Sequence, residues 1–250
     1  MRKYLMLTMA IAALIAVSVA GIATGANKPV TVEAGNLRVT FNGGFSPNKL
    51  PKKKFAPISL NASGKIETKD GTHPPALKEV VLESDKNGAI NVKGIPVCKA
   101  GKLQSRDTKA AEKACPKSII GKGTTNVEIA FPEQKPIPVS SKLLVFNGGL
   151  SGGTTTLYIH AFITVPTPAA IVTTVKIKKI HNGRYGLKSV ATIPKIAGGS
   201  GSVTAFNLTI NRKGVLTAKC PDGKLQVHGT AVFADGTKAS ATIPRACTGT

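Results

Sequence analysis

The stretch that most constrains the fold runs from Thr154 to Val165, because its twelve residues contain no charge, no proline and no glycine. Every second residue from Leu157 to Val165 is aliphatic, whereas Tyr158, His160 and Phe162 occupy the positions between them. Because alternate side chains of a strand point to opposite sides, both faces of this strand need cover. The stretch therefore predicts a central strand buried on both faces.

The rest of the chain predicts further strands built around this one. Short runs of alternating polarity are separated by dipeptides suited to tight turns, among them Asn87-Gly88, Asn182-Gly183 and Asp235-Gly236. The Asn-Gly-Gly segments at 42–44 and 147–149 also predict turns next to strands. We therefore predict an all-β protein, an antiparallel β-sandwich, with a hairpin at Asn87-Gly88.

Two pairs of similar segments support this plan. VTFNGGFS at 39–46 recurs as LVFNGGLS at 144–151, and GLKSVATIPK at 186–195 recurs as GTKASATIPR at 236–245. Both pairs combine strands with turns. These similarities are consistent with duplication of a sheet unit into two lobes. They are equally consistent with a single sandwich that uses the same type of turn at two places.

The first 26 residues have the pattern of a secretory signal peptide. Arg2 and Lys3 precede an apolar run from Leu5 to Ala20, and small residues follow up to Ala26. The uncharged run is also long enough to span a bilayer, so an uncleaved anchor is the alternative. We expect cleavage near Ala26, no transmembrane segment afterwards, and a secreted or cell-surface protein whose residues 27–250 form a single large β-sandwich domain.

The four cysteines of the chain predict two disulfides, because an even number in an exported chain is normally paired. Three pairings are possible. Proximity favours Cys98 with Cys115 and Cys220 with Cys247, since each pair closes a short loop. No Cys-x-x-Cys motif occurs, so these cysteines do not predict a metal site.

One helix is predicted, between the first two cysteines. Thr108–Ala114 contains good helix formers, Ser105 or Asp107 is placed to cap its start, and Pro116 is a stop signal. Such a short helix does not persist alone. We therefore predict a helical insertion, residues 98–115, that is held by a disulfide between its ends.

The charge of the chain favours anionic partners. Thirty-four Lys and Arg against 12 Asp and Glu give a net charge of +22, and removal of Arg2 and Lys3 leaves +20. Such a protein attracts anionic cell-envelope polymers or lipid headgroups, although scattered lysines also serve solubility alone. In the strand predicted over 169–180, two lysines alternate onto the solvent face, and two further basic residues follow in the next turn and strand. The predicted polyanion-binding residues are Lys176, Lys178, Arg184 and Lys188.

The sequence carries no recognisable catalytic motif. The histidines, at 73, 160, 181 and 228, are far apart and form no metal motif, and no Gly-x-Ser-x-Gly segment occurs. Tryptophan is absent, which argues against stacking platforms for sugars or bases and so against specific nucleic-acid binding. We expect no catalytic residue, no metal and no cofactor. The predicted function is structural or weak polyanion binding without enzymatic activity, and the alternative is a secreted hydrolase with an unrecognised active site.

The segments CKAGKLQSRDTKAAEKACPKSIIGKG, FNGG and CPDGKL extend this prediction. With them the chain resembles a group of uncharacterised secreted all-β proteins of Gram-positive, actinobacterial type. The resemblance covers most of the chain after the signal segment and consists of structural cysteines, turns and strand ends. It implies export and a sandwich fold, and it carries over no catalytic or binding residue.

Overall fold

The computed structural model describes residues 28–250, so the predicted signal segment, residues 1–26, lies outside the described residues. The described residues form sixteen strands and one α-helix, α1 (Thr108–Ala114). The strands are β1 (Val30–Ala34), β2 (Leu37–Ser46), β3 (Lys49–Leu50), β4 (Ala56–Thr68), β5 (Leu77–Asp85), β6 (Gly88–Ile90), β7 (Ile119–Ile129), β8 (Ile137–Ser151), β9 (Thr154–Ile163), β10 (Ala169–Asn182), β11 (Tyr185–Thr192), β12 (Gly201–Ile210), β13 (Leu216–Ala218), β14 (Lys224–Phe233), β15 (Lys238–Ala246) and β16 (Thr248–Gly249).

Fourteen of the strands belong to one sheet. Its main path runs β1-β2-β4-β12-β7-β8-β9-β10-β11-β5-β14-β15, while β13 joins β4 to β6 and the short strands β3 and β16 pair separately. Neighbours along the path are antiparallel, for example β8 with β9 and β9 with β10. The predicted central strand is β9, in the middle of the path. The prediction of an antiparallel all-β fold with one short helix is therefore confirmed.

The sheet curls until its two ends meet. Strand β15 lies against β1 and β2, which makes a nearly closed sandwich. Inside it, Leu37 and Val39 of β2 pack with Phe233 of β14 and Ala239 of β15, and Leu157 of β9 belongs to a second buried cluster further along. The core thus lies between two halves of one sheet. Bringing the ends together also protects edge strands that would otherwise expose unpaired backbone groups.

The line where β15 meets β1 and β2, here called the seam, is held by Arg245. This side chain is only 6% exposed. Its Nε donates to the carbonyl oxygen of Gly43, and its Nη2 donates to the carbonyl of Lys28 at 3.2 Å and to Oδ1 of Asn42 at 2.9 Å. No carboxylate pairs with Arg245 in residues 28–250. Burial lowers the pKa of Arg245.

The helical insertion covers the outer face of β8 and β9. Leu103 and Ala111 are fully buried there, in one cluster with Leu144 and Phe146 of β8. The helix has the predicted bounds, and Asp107 is its cap, accepting the backbone N–H of Ala110 at 2.7 Å. Both faces of β9 are therefore covered, the inner one by the core and the outer one by the insertion.

Both disulfides join the predicted partners. Cys98 pairs with Cys115 beside the helix, and Cys220 pairs with Cys247 near the end of the chain. Cys220 and Cys247 lie in a small apolar cluster with Leu50, whose strand β3 pairs with β16. Each disulfide thus holds a short segment that lies outside the main path of the sheet.

The predicted turns at the Asn-Gly-Gly segments are wrong. Strand β2 continues through 42–44, and β8 continues through 147–149 with one bulge. The chain reverses after β8 at Gly152 and Gly153 instead, where φ is 52° and 72°. The sequence is compatible with both outcomes, because glycine is tolerated in a strand wherever a neighbouring group approaches closely.

The two asparagines of these segments serve as anchors. Oδ1 of Asn42 accepts the N–H of Gly43 at 2.9 Å, and Oδ1 of Asn147 accepts the N–H of Gly149 at 2.8 Å. Asn147 is fully buried and its Nδ2 donates to the carbonyl of Ile95 at 2.8 Å. The first FNGG segment therefore contacts the seam through Asn42, and the second contacts the chain leading into the helical insertion through Asn147.

The predicted hairpin at Asn87-Gly88 is also wrong. Strand β5 pairs with β11 and β14, whereas β6 pairs with β13. The chain leaves the main path at this point because the buried carboxylate of Asp85 accepts both the backbone N–H of Asn87 at 3.0 Å and its side-chain amide at 2.9 Å. These bonds fix a local turn without returning the chain to β5.

We predict that Arg245→Ala destabilises the protein by roughly 3 kcal/mol, since three buried or half-buried acceptors lose a charged donor. The measurement is the free energy of unfolding in urea. The matched control is Arg38→Ala, which removes a guanidinium from an exposed ion pair with Glu33 and is expected to have a small effect. Equal destabilisation by the two substitutions would contradict the role of Arg245 at the seam.

Candidate functional site

Three of the predicted polyanion-binding residues form one exposed surface, here called the basic face. Lys176 and Lys178 lie on β10 and Lys188 lies on β11, all exposed. Lys178 is directly opposite Lys188 in the register of the two strands. Opposed like charges on neighbouring strands are unfavourable. The face therefore carries positive charge at high local density.

The lysines of the basic face form no ion pairs within residues 28–250. Within the described chain, no carboxylate lies within salt-bridge distance of any of the three lysines. Glu83 of β5 is opposite Lys188 in register, but its carboxylate is instead 3.4 Å from Nδ2 of Asn182. On the other side, Thr154 and Thr156 of β9 stand opposite the lysines of β10. Hydroxyl groups there extend the hydrogen-bonding surface.

Arg184, the fourth predicted residue, is engaged inside the protein. Its Nε donates to Oδ2 of Asp85 at 2.8 Å, and its Nη groups donate to both oxygens of Asp222 and to the carbonyl of Lys224. Asp85 is only 3% exposed. The hydrogen bond with Arg184 lowers the pKa of Asp222, and the same contact raises the pKa of Arg184. The structure therefore separates Arg184 from the three lysines: it links β11 to β5 and to the turn before β14.

We predict that Arg184→Met costs roughly 3 kcal/mol of stability, because it leaves the Asp85 carboxylate buried without its cation. The free energy of unfolding in urea measures the loss. Lys188→Met, which removes an exposed cation from the adjoining strand β11, is the matched control and is expected to change stability little. An Arg184→Met protein as stable as this control would contradict the structural role.

His160 is the most buried histidine among the described residues. Its side chain is fully buried beneath the helical insertion, and Nε2 donates to the carbonyl of Arg106 at 2.9 Å. Because a carbonyl only accepts, Nε2 carries the proton and Nδ1 is an acceptor, which has no partner in residues 28–250. His160 is therefore a core histidine bonded to a backbone group.

The setting of His160 disfavours its charged form. Burial lowers its pKa below the ordinary value of 6.5, although the bond to Arg106 and the negative charge of Asp107 act in the opposite direction. Its neighbours on the adjacent strands, Leu144 and Val172, are apolar. The insertion therefore packs on a neutral histidine.

We predict that the helical insertion loosens in mild acid. Because the folded protein binds a proton at His160 less readily than the unfolded chain, stability present above pH 6.5 is lost as the pH falls from that value towards the lowered pKa. Thermal unfolding and amide exchange of α1, followed between about pH 7.5 and 5.5, test this.

His160→Gln should flatten that pH dependence, since glutamine keeps a donor but does not titrate in this range. The matched control is His181→Gln, which changes an exposed histidine and should leave the dependence as in wild type. A wild-type profile that is flat between those pH values would overturn the prediction.

Two of the clefts on the surface of residues 28–250 have linings that include no lysine of the basic face. The larger, of about 490 Å³, is lined by the 73–76 segment, Phe131 and the 199–202 segment. Its polar groups are engaged by backbone: Nε2 of His73 bonds the carbonyl of Glu128 at 3.1 Å, and the Ser202 hydroxyl donates to Pro74 at 2.6 Å. This cleft therefore offers few free groups for a ligand.

The smaller cleft, of about 320 Å³, lies on strands β2, β4 and β12. We call it the asparagine groove. The residues that line it are Asn42, Gly43, Gly44, Phe45, Asn48, Asn61, Ala62, Ser63 and Asn207. No charged side chain is among them, and four of the nine are asparagines. The groove is therefore a neutral, amide-rich surface next to the seam.

Sequence reasoning missed Arg245 and the asparagine groove. In β15, Arg245 has the same strand phase as Ala239, Ala241 and Ile243, so the alternation alone indicates a basic residue on an inward face. No local sequence pattern indicates the asparagine groove, since Asn42, Asn61 and Asn207 are distant in sequence. Only the strand order places them together.

Within the described part of the chain, no group of three or more His, Cys, Asp and Glu residues is placed to hold a metal ion. No helix in residues 28–250 is long and apolar enough to cross a membrane. Comparison with protein-family models finds no match, and comparison with curated proteins finds no similar one.

Proposed function

We propose that this protein is exported and acts without catalysis, as a disulfide-held β-sandwich that binds anionic polymers of the cell envelope weakly through the basic face. The observation that carries the proposal is the direct opposition of Lys178 and Lys188, with Lys176 beside them and no carboxylate in contact. An anionic chain lying across β10 and β11 neutralises both opposed charges at once. Binding then relieves a repulsion that the free protein bears.

The basic face suits a repeating polyanion better than a discrete ligand. The three lysines are exposed and long, so their ammonium groups adapt to different spacings of charge. The two clefts do not include them. Recognition of this kind is electrostatic and not stereospecific.

Export is supported by two independent features. Residues 1–26 have the signal-peptide pattern. Two disulfides persist in oxidising compartments and are rare in the cytosol. The net charge of +20 after signal removal favours retention at an anionic envelope over free diffusion.

We predict that the protein with residues 1–26 removed is retained on immobilised dextran sulfate at low salt and is released as salt rises. The reason is that exposed charges are screened beyond about 8 Å at physiological ionic strength. The paired substitution Lys176→Glu with Lys178→Glu should lower the salt concentration at which the protein elutes. Vesicles with and without phosphatidylglycerol, used in parallel, distinguish lipid headgroups from polymers.

The matched control is Lys122→Glu with Lys142→Glu, which changes the net charge equally on exposed positions of β7 and β8. Earlier elution of the basic-face variant than of this control supports the proposal. Equal elution of the two variants shows that net charge alone governs retention and rejects the basic face as the site.

A further inference from the structure

The asparagine groove has polar side chains in a regular two-row arrangement. Asn42 of β2, Ser63 of β4 and Asn207 of β12 are partners in the strand register, so they stand side by side in one row. In the next row, Gly44 of β2 is opposite Asn61 of β4. Opposed side chains of neighbouring strands lie within about 5.5 Å, close enough for one small ligand to contact several of them.

The orientation of the Asn42 amide is fixed by its partners. Its Oδ1 accepts from the backbone N–H of Gly43 and from Nη2 of Arg245, both at 2.9 Å. Both partners are donors only, so the oxygen must face them and the Nδ2 group must point away. Asn42 thus presents two N–H donors that have no partner in the described chain.

Asn61 has its amide oxygen occupied by one hydrogen bond. The hydroxyl of Thr209, opposite it on β12, donates to Oδ1 of Asn61 at 2.8 Å. The Nδ2 group of Asn61 then remains for a ligand. The Asn42 amide is therefore oriented as a donor before any ligand arrives, which reduces the cost of ordering this side chain on binding.

Arg245 adds positive charge behind these donors. Its guanidinium is buried, is bonded to Asn42 and has no carboxylate partner in residues 28–250. No acidic residue lines the groove either. A buried cation acts over a longer distance than an exposed one, because water screens it less.

Gly44 leaves the middle of the groove open. A Cβ atom added there would meet no atom within 4 Å. A ligand therefore has direct access to the backbone of β2 between Asn42 and the Asn61 amide. The same position allows the groove to be filled by substitution without disturbing the seam.

We propose that the asparagine groove binds one oxyanion, a carboxylate or a phosphate group, through the amide donors of Asn42, Asn61 and Asn207, with the buried Arg245 supplying the charge. The charged oxygens of an oxyanion are acceptors, which matches the Nδ2 donors that Asn42 and Asn61 present. The volume of about 320 Å³ also leaves room for the sugar or polyol unit that carries the group. This site goes beyond the basic face: it recognises a single group by directed hydrogen bonds, whereas the basic face holds a chain by charge.

The test is an NMR titration of the protein lacking residues 1–26 with inorganic phosphate and, separately, with galacturonate, at ionic strength held constant with chloride. We expect saturable shifts of the side-chain amide signals of Asn42, Asn61 and Asn207. Saturation by phosphate alone, by galacturonate alone, or by both supports the site and identifies the source of the oxyanion. Absence of a saturable shift with either probe overturns the proposal.

Gly44→Val is the blocking variant, because valine suits a strand and its side chain enters the open groove. It should abolish the shifts while the thermal unfolding midpoint stays close to wild type. Asn207→Asp, which adds a carboxylate at an exposed position, should weaken binding about tenfold. Unchanged binding in the Gly44→Val protein rejects the groove as the site.

The paired variant Lys176→Glu with Lys178→Glu separates this proposal from the proposed function. Its groove shifts should saturate as in wild type even though its retention on dextran sulfate falls. Loss of the groove shifts in that variant would mean that the two surfaces are one binding system, and the separate groove site would be wrong.

Discussion

Closure of the sheet is the constraint on which the rest of the structure depends. A twelve-strand path has two ends, and each exposes backbone groups that need partners. The protein meets this need with a side chain. The guanidinium of Arg245 donates to the carbonyls of Gly43 and Lys28 across the seam, where no backbone ladder joins β15 to β1 or β2 among the described residues. Its planar fork of donors suits several carbonyls at once, which the single ammonium group of a lysine does not.

The same closure determines where ligands can reach the molecule. With the interior filled by apolar side chains, binding is left to the outer surfaces of the strands. The insertion occupies one outer surface, over β8 and β9, and hides His160. The surfaces left exposed include the basic face on β10 and β11 and the asparagine groove on β2, β4 and β12. The basic face offers positive charge, and the asparagine groove offers directed amide donors.

Much of the fold could be predicted from local pattern. The bounds of α1, the two disulfide pairs and the double cover of β9 all follow from residues close together in the chain. The errors arose where pairing is decided at a distance. Asn42-Gly43-Gly44 has the composition of a turn, but its partners on β4 keep it extended. Asn87-Gly88 is a turn, yet the strand after it pairs with β13.

The candidate sites likewise differ in whether local sequence or the fold determines them. The alternation of Lys176 and Lys178 placed both on an exposed face. Arg184 follows them closely in sequence, and only the fold reveals that Asp85 and Asp222 engage it. The asparagine groove depends on β12 lying beside β4, which no local pattern indicates.

The order of strands has a consequence for how the chain comes to its folded state. Strands β4 and β7 are neighbours only through β12, and Asp85 at the end of β5 bonds Gln226 of β14, 141 residues later. No early portion of the chain can therefore complete the sheet. Contacts so distant in sequence form slowly. A chain built this way completes its sheet only once the late strands β12, β14 and β15 are available to pair with the early ones.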